Sequence, residues 1–235
     1  MTARVRLDLP RIEATLAAVQ QEFDQINAAA GTLRDPIDRH IIENMLAGYA
    51  YVEEIAGVGV DIFAMGQHKH LLEMNYLVLC GTDPDRRQKY AAHLAATERR
   101  FYEELNAGIE DVVEWYRLHA HRPVWERAAG AYIQILSTPQ LFIEGNHRTG
   151  ALVISYLLMR EGEPPFVMSA GNAVDYFGPS ATIRDIRKHS LAAFFRIPRI
   201  RGRIAQFLQR ESCAQYLLPE ASGSRSQAPG RAAAL

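Results

Sequence analysis

Two cysteines in 235 residues, Cys80 and Cys213, exclude a disulfide scaffold and are too few to make a structural zinc site unaided. No stretch is long enough to span a bilayer. The longest apolar run, Ala151 to Met159, has nine residues, against the ~20 that a membrane helix needs. The N-terminus, MTARVRLDLP, lacks the apolar core of a signal peptide. The sequence therefore reads as a soluble cytoplasmic chain, exported, if at all, by a route that uses no signal peptide. No run alternates apolar and polar residues as a half-buried strand does, and no internal repeat is visible. A chain of this length buries roughly 70% of its unfolded surface, so its core needs no staples.

Net charge is nearly absent too, at -1, but that is an average over two unlike regions. Residues 1–183 carry 16 Lys and Arg against 24 Asp and Glu, whereas residues 184–235 carry 10 against 3. An acidic body with a basic C-terminal segment either biases the choice of partner or holds two parts of one fold together by complementary charge.

What is present is helical periodicity almost throughout, which predicts an all-α fold. Asp8 and Pro10 start a helix carrying Ile12, Leu16, Val19 and Phe23 at helical spacing. Asp35-Pro36 repeats that signal ahead of Ile37, Ile41, Met45, Tyr49 and Val52, until Gly57 and Gly59 interrupt it. Another helix runs through Leu71, Leu72, Met74, Leu77 and Val78 to Gly81. Thr82-Asp83-Pro84 opens the next, which continues past Tyr90 and Leu94 to about Leu105. Segments 109–118 and 124–136 read as two more, and 152–158 lies in a very apolar helix expected at the centre of the core and ended by Pro164-Pro165. The expected organisation is an N-terminal helical region over 1–70 packed on a main domain of 71–212. A tail over 213–235, rich in Ser, Gly, Ala, Pro and Arg, is expected to be disordered.

Residues 139–151, PQLFIEGNHRTGA, are where chemistry concentrates. They place small and polar residues at the start of the apolar helix, where unpaired backbone N–H groups and the helix dipole attract anions. Gly145 lets the backbone bend, Arg148 can aim a guanidinium at the same anion, and Glu144 can hold a divalent cation bridging phosphate oxygens. The alternative is a capped helix with a solvated Arg and Glu.

This stretch resembles the signature of the Fic (Fido) family, H-x-F-x-[D/E]-G-N-G-R-x-x-R. Phe142, Glu144, Gly145, Asn146 and Arg148 stand in register with it, and the likeness extends over about residues 125–180. The resemblance implies a Fido-like helical bundle with the signature loop between two core helices. It implies nucleotide or diphosphate binding by Gly145, Asn146, His147, Arg148 and Thr149, a structural anchor in Phe142, and Mg²⁺ held at Glu144. The implied reaction transfers a nucleotidyl group, most often AMP from ATP, to the hydroxyl of a target protein.

The sequence departs from that signature at three positions. Gln140 stands where the family has its general base, and a carboxamide cannot take a proton near neutrality. His147 replaces the second Gly and is a candidate alternative base or a structural side chain. Ala151 replaces the Arg that grips the terminal phosphate, a contact worth about 1–3 kcal/mol. Weak or altered transfer is one reading, a catalytically silent binding module another, and a component acting on nucleic acid through the basic C-terminal segment a third. Glu43-Asn44 ends like the family's inhibitory motif but follows Arg39, and with Ala151 it has no arginine to block. The family's target-docking hairpin is not evident.

Further candidates lie outside the loop. His68 with His70, and His119 with His121, are spaced two apart and diverge on a helix, so a shared metal requires irregular backbone. Cys80 reads as a core thiol, and Trp115, Tyr116 and Trp125 as core or interface aromatics. Residues 184–210 hold eight Lys or Arg against Asp185, interleaved with Phe and Ile. They suit an acidic partner, whether protein, nucleic acid or membrane surface, or a solvated basic face packed on the domain.

Overall fold

Side-chain caps fix where several of the helices begin. A computed structural model describes residues 6–31, 34–104, 108–188 and 190–218. Among these, the Asp8 carboxylate accepts from the Arg11 N–H at 3.1 Å and opens α1 (Leu9–Gln21), which α2 (Phe23–Ala29) follows. Helix α3 (Arg39–Gly57) starts later than Asp35-Pro36 predicts. Asp38 is the residue whose side chain accepts from the Ile41 N–H, at 2.7 Å, so Asp35 to Ile37 stay outside the helix. Helix α4 (Lys69–Cys80) ends on Gly81, whose φ of +65° is left-handed.

The single helix expected from Pro84 is two, α5 (Pro84–Lys89) and α6 (Ala91–Glu103), broken at Tyr90. Helix α5 buries no residue, whereas α6 buries Leu94, Thr97 and Phe101, and the break lets the second apolar face meet the core. Leu105 lies outside the described residues. Helices α7 (Ile109–Leu118) and α8 (Val124–Leu136) match their expected spans. They precede α9 (Asn146–Arg160), α10 (Ala173–Arg184) and α11 (Leu191–Glu211). The fold is all-α, and no strand occurs among the described residues.

Helix α9 is the axis. Every residue from Thr149 to Met159 is buried, and α8, α3 and α4 pack around it. It stops at Arg160 and turns through Gly162 (φ +82°), before Pro164-Pro165 is reached. The loop at 137–145 thus joins two core helices, α8 and α9.

The buried residues of α1, α2 and α3 belong to the same apolar cluster as α9, with α1 against α3. The tail expected from 213 is ordered as far as Leu218. Tyr216 is buried, its carbonyl accepts from Asp8 N–H at 2.8 Å, and Leu218 N–H donates to the Arg6 carbonyl at 2.8 Å. The remainder of that tail, 219–235, lies outside the described residues. In the basic segment Lys188 and Arg201 are buried, while Arg184, Arg187, Arg196, Arg199, Arg203 and Arg210 are exposed. Helix α11 lies on α8, with Arg201 buried 3.7 Å from Glu126 and Arg210 bonded to Asp175 at 3.3 Å. Its exposed end carries Phe194 and Phe195.

Helices α8 and α9 meet closely because Gly150 has no side chain. A Cβ there would stand 2.6 Å from the buried Tyr132 ring. Gly150→Ala improves helix propensity by about 1 kcal/mol, but overpacking a site that cannot relax costs about 1–3 kcal/mol. We expect a net loss of stability, read as a lower urea midpoint at unchanged m-value.

Candidate functional site

The loop between α8 and α9 is held by amides. The Asn146 carboxamide spans it, its Oδ1 accepting from the Phe142 N–H at 2.9 Å and its Nδ2 donating to the Phe142 carbonyl at 2.8 Å. The same Nδ2 is 3.3 Å from Gln140 Oε1, and Gln140 Nε2 donates to the Leu136 carbonyl at 3.2 Å. Arg100 clamps the Gln140 carbonyl with Nε at 3.0 Å and Nη2 at 2.7 Å. Phe142 is buried and stacked on Phe101 at 5.6 Å, as an anchor would be. Gly145 adopts φ +77°, and a Cβ there would press on Asn75 and Val78 of α4. Asn75 Nδ2 ties both sides of that turn, donating to the Glu144 carbonyl at 2.9 Å and to Thr149 Oγ1 at 3.0 Å.

Helix α9 therefore starts abruptly, and the N–H groups of Asn146, His147 and Arg148 have no intrahelical acceptor. These three residues line a cavity of about 400 Å³, within the range of small-molecule sites. Its walls are Leu16 of α1, Phe23 of α2, Arg34 to Ile37 in part, Ile41, Ile42, Met45 and Tyr49 of α3, Met168, and Tyr176 and Phe177 of α10. Its floor is Glu144 to Arg148 with Ala151.

Two guanidinium groups line this cavity. Arg148 Nη1 donates to the Val78 carbonyl at 2.6 Å, and burial pushes its pKa down while the charges of Glu144 and Asp38 pull it up. Arg34 Nη2 donates to Ser180 Oγ at 2.7 Å, and its guanidinium lies 4.2 Å above the Phe177 ring. Burial pushes the Arg34 pKa down as well. Neither arginine has a carboxylate within 4.0 Å among the described residues.

His147 faces inward. Its Nε2 is 3.4 Å from Arg34 Nη2 and its Nδ1 3.1 Å from the Tyr132 hydroxyl, while its carbonyl accepts from the Tyr176 hydroxyl at 3.0 Å. A guanidinium only donates, so Nε2 is the acceptor and Nδ1 carries the proton. Burial, and then the Arg34 charge, lower its pKa to about 3. An imidazole that weak is poorly matched to general-base work near neutrality. His147 instead links α9 to α8 and to Arg34.

Two expected site residues are placed elsewhere. Thr149 is fully buried, its hydroxyl accepts from Asn75 Nδ2 of α4, and it does not line the cavity. Gln140 does not line the cavity, since both ends of its carboxamide are bound within the loop. Glu144 is more than half exposed, with His93 Nε2 its nearest ionic partner at 4.0 Å. No group of three or more His, Cys, Asp or Glu able to hold a metal occurs among the described residues. Glu144 fits Mg²⁺ only in the manner usual for that ion, one carboxylate with ligand phosphates and water completing the shell. His70 bonds Tyr51 at 2.6 Å and His119 stacks on Trp115 at 4.2 Å, which accounts for both without metal. Glu43 pairs with Arg39 on an exposed face of α3 and does not line the cavity.

No protein-family model matches the chain, and no solved structure matches it. The site therefore stands on its own geometry. Sequence reasoning missed Arg34, Tyr132, Tyr176, Asn75 and Arg100. Only Asn75 carried a signal, as the lone amide in the apolar run LLEMNYLVLC.

The His147 environment has a pH signature. Its folded pKa, about 3, lies below the ordinary histidine value of 6.5, so between these values the unfolded chain binds more protons. Stability is therefore expected to fall as pH drops from about 6.5 toward about 3. In His147→Gln the dependence of unfolding free energy on pH should be shallower over that window, measured by urea titration at stepped pH.

Proposed function

We propose that this chain binds a nucleotide, or another compound carrying a diphosphate, with its anionic end at the N-terminus of α9. On this reading it is a Fido-like protein that transfers a nucleotidyl group to a protein hydroxyl only slowly. The observation that carries the proposal is Arg148, a partly buried guanidinium with no ion pair, in a 400 Å³ cavity also lined by Asn146 and His147, whose N–H groups are unpaired. A buried charge without a counter-charge is costly, and an anionic ligand removes that cost.

Transfer would form a bond from the target hydroxyl oxygen to the α-phosphorus and break the bond to the leaving pyrophosphate. The hydroxyl proton would pass to solvent, because Gln140 cannot accept it. Loss of a general base typically costs 10²–10⁴-fold, about the same order expected here, while positioning and electrostatics remain to drive phosphoryl chemistry. Mg²⁺ at Glu144 would neutralise phosphate charge. The engagement of Gln140 at both ends of its carboxamide favours a second reading, a catalytically silent module that acts by binding.

Calorimetry with ATP and Mg²⁺ tests the binding, and transfer from ATP labelled at the α-phosphate into lysate proteins tests the chemistry. Arg148→Ala is expected to weaken ATP binding by about tenfold or more. Slow labelling that Arg148→Ala and Glu144→Ala abolish supports transfer, binding without labelling supports the silent module, and absence of both overturns the proposal.

A further inference from the structure

We infer that Arg34 is the second anion-gripping cation of the cavity, standing in for the arginine that position 151 lacks, and that the ligand is a polyanion with an apolar or aromatic body. The inference rests on the reading that the cavity takes an anionic ligand, and it adds which residue binds the outer charge and what the rest of the ligand must be.

Arg34 belongs to the segment joining α2 to α3, remote in sequence from the loop at 137–145, yet it lines the cavity together with Arg148 and Ala151. It is held in place by the protein before any ligand arrives. Asn27 fixes its backbone, accepting from the Arg34 N–H and donating to the Arg34 carbonyl, both at 3.2 Å. Ser180 and His147 hold one terminal nitrogen, and Phe177 supports one face of the guanidinium. Its Nε is buried without a hydrogen-bond partner, and Nη1 has none among the described residues. Every one of these contacts is to a neutral group.

A fixed guanidinium brings a charge that its surroundings leave unbalanced. Ala151, small and buried, leaves the cavity floor without a cation of its own at that point.

The apolar remainder of the cavity limits the ligand's other end. Phe23, Ile37, Ile41, Met45, Tyr49 and Phe177 present hydrocarbon and ring surface, and a bare inorganic anion would leave that surface unfilled. A base or comparable ring on a diphosphate meets both halves of the site.

The test compares AMP with ADP, each with Mg²⁺, by calorimetry on the whole chain. Wild type is expected to prefer ADP. In Arg34→Gln the ADP affinity should fall about tenfold or more while AMP affinity stays within about threefold, so that the preference disappears. Ala151→Arg in the Arg34→Gln background should restore it, and failure to do so would overturn the equivalence of the two positions. Inorganic pyrophosphate should bind wild type at least tenfold more weakly than ADP, and equal affinity would overturn the apolar body. An unchanged ADP preference in Arg34→Gln would make Arg34 a structural staple and overturn the inference while leaving the anion site standing. Absence of AMP and ADP binding to wild type would instead remove the reading on which it rests. Should Arg34→Gln not fold, Arg34→Lys keeps the charge but not the fork. A reduced ADP preference in that variant supports the inference, and an unchanged one overturns it.

Discussion

Asn146 spans the loop between α8 and α9 with one carboxamide, and the rest of the site depends on that closure. By accepting from the Phe142 N–H and donating to its carbonyl, the side chain satisfies two backbone groups that a buried loop would otherwise leave unpaired. The short circuit forces the intervening chain through a left-handed residue, which Gly145 supplies without steric cost. Helix α9 then begins at once, with no side-chain cap on its first N–H groups. The residues that carry those donors line the cavity. Asn75 on α4 and Arg100 on α6 hold the loop from outside, so its shape is fixed from three helices.

The electrostatics of the cavity follow from which groups are absent. Arg148 and Arg34 are desolvated, and their hydrogen bonds go to a carbonyl and a hydroxyl. Arg127 with Glu161 and Arg87 with Glu73 are partly buried arginines paired with carboxylates, whereas Arg100, among the described residues, bonds only to the Gln140 carbonyl. The cavity is therefore a place where positive charge is held in reserve, and the neutral His147 sits between Arg34 and Tyr132 without adding to it. Carboxylates at Asp35 and Glu144 also line the cavity but do not reach either guanidinium within 4.0 Å.

Much of the fold was legible because the helices carry their own punctuation. Segments 109–118 and 124–136 could be read to the residue from apolar spacing alone. Two boundaries were not: Asp35-Pro36 has the composition of a cap, but Asp38 makes the bond, and nothing in the composition around Tyr90 marks the break that burial of Phe101 imposes. In the site, Phe142, Gly145, Asn146 and Arg148 were legible as local sequence, whereas Arg34 and Tyr176 reach it through tertiary packing that no spacing encodes. Thr149 shows the limit from the other side. It has the right chemistry at the right spacing, and Asn75 has already claimed its hydroxyl.

The antiparallel bridge of Leu7 to Leu217 joins segments more than 200 residues apart, sealing the start of α1 beneath Tyr216. Such a contact closes a very long loop, and its entropy must be met before the contact gives anything back. Helix α1 and its packing partner α3 are both made long before residue 217, so the apolar face of α1 can be covered by α3 before the strap exists. The core of α1, α3, α4, α8 and α9 can therefore form before residue 217 has emerged, and the strap closes over the start of α1 afterwards.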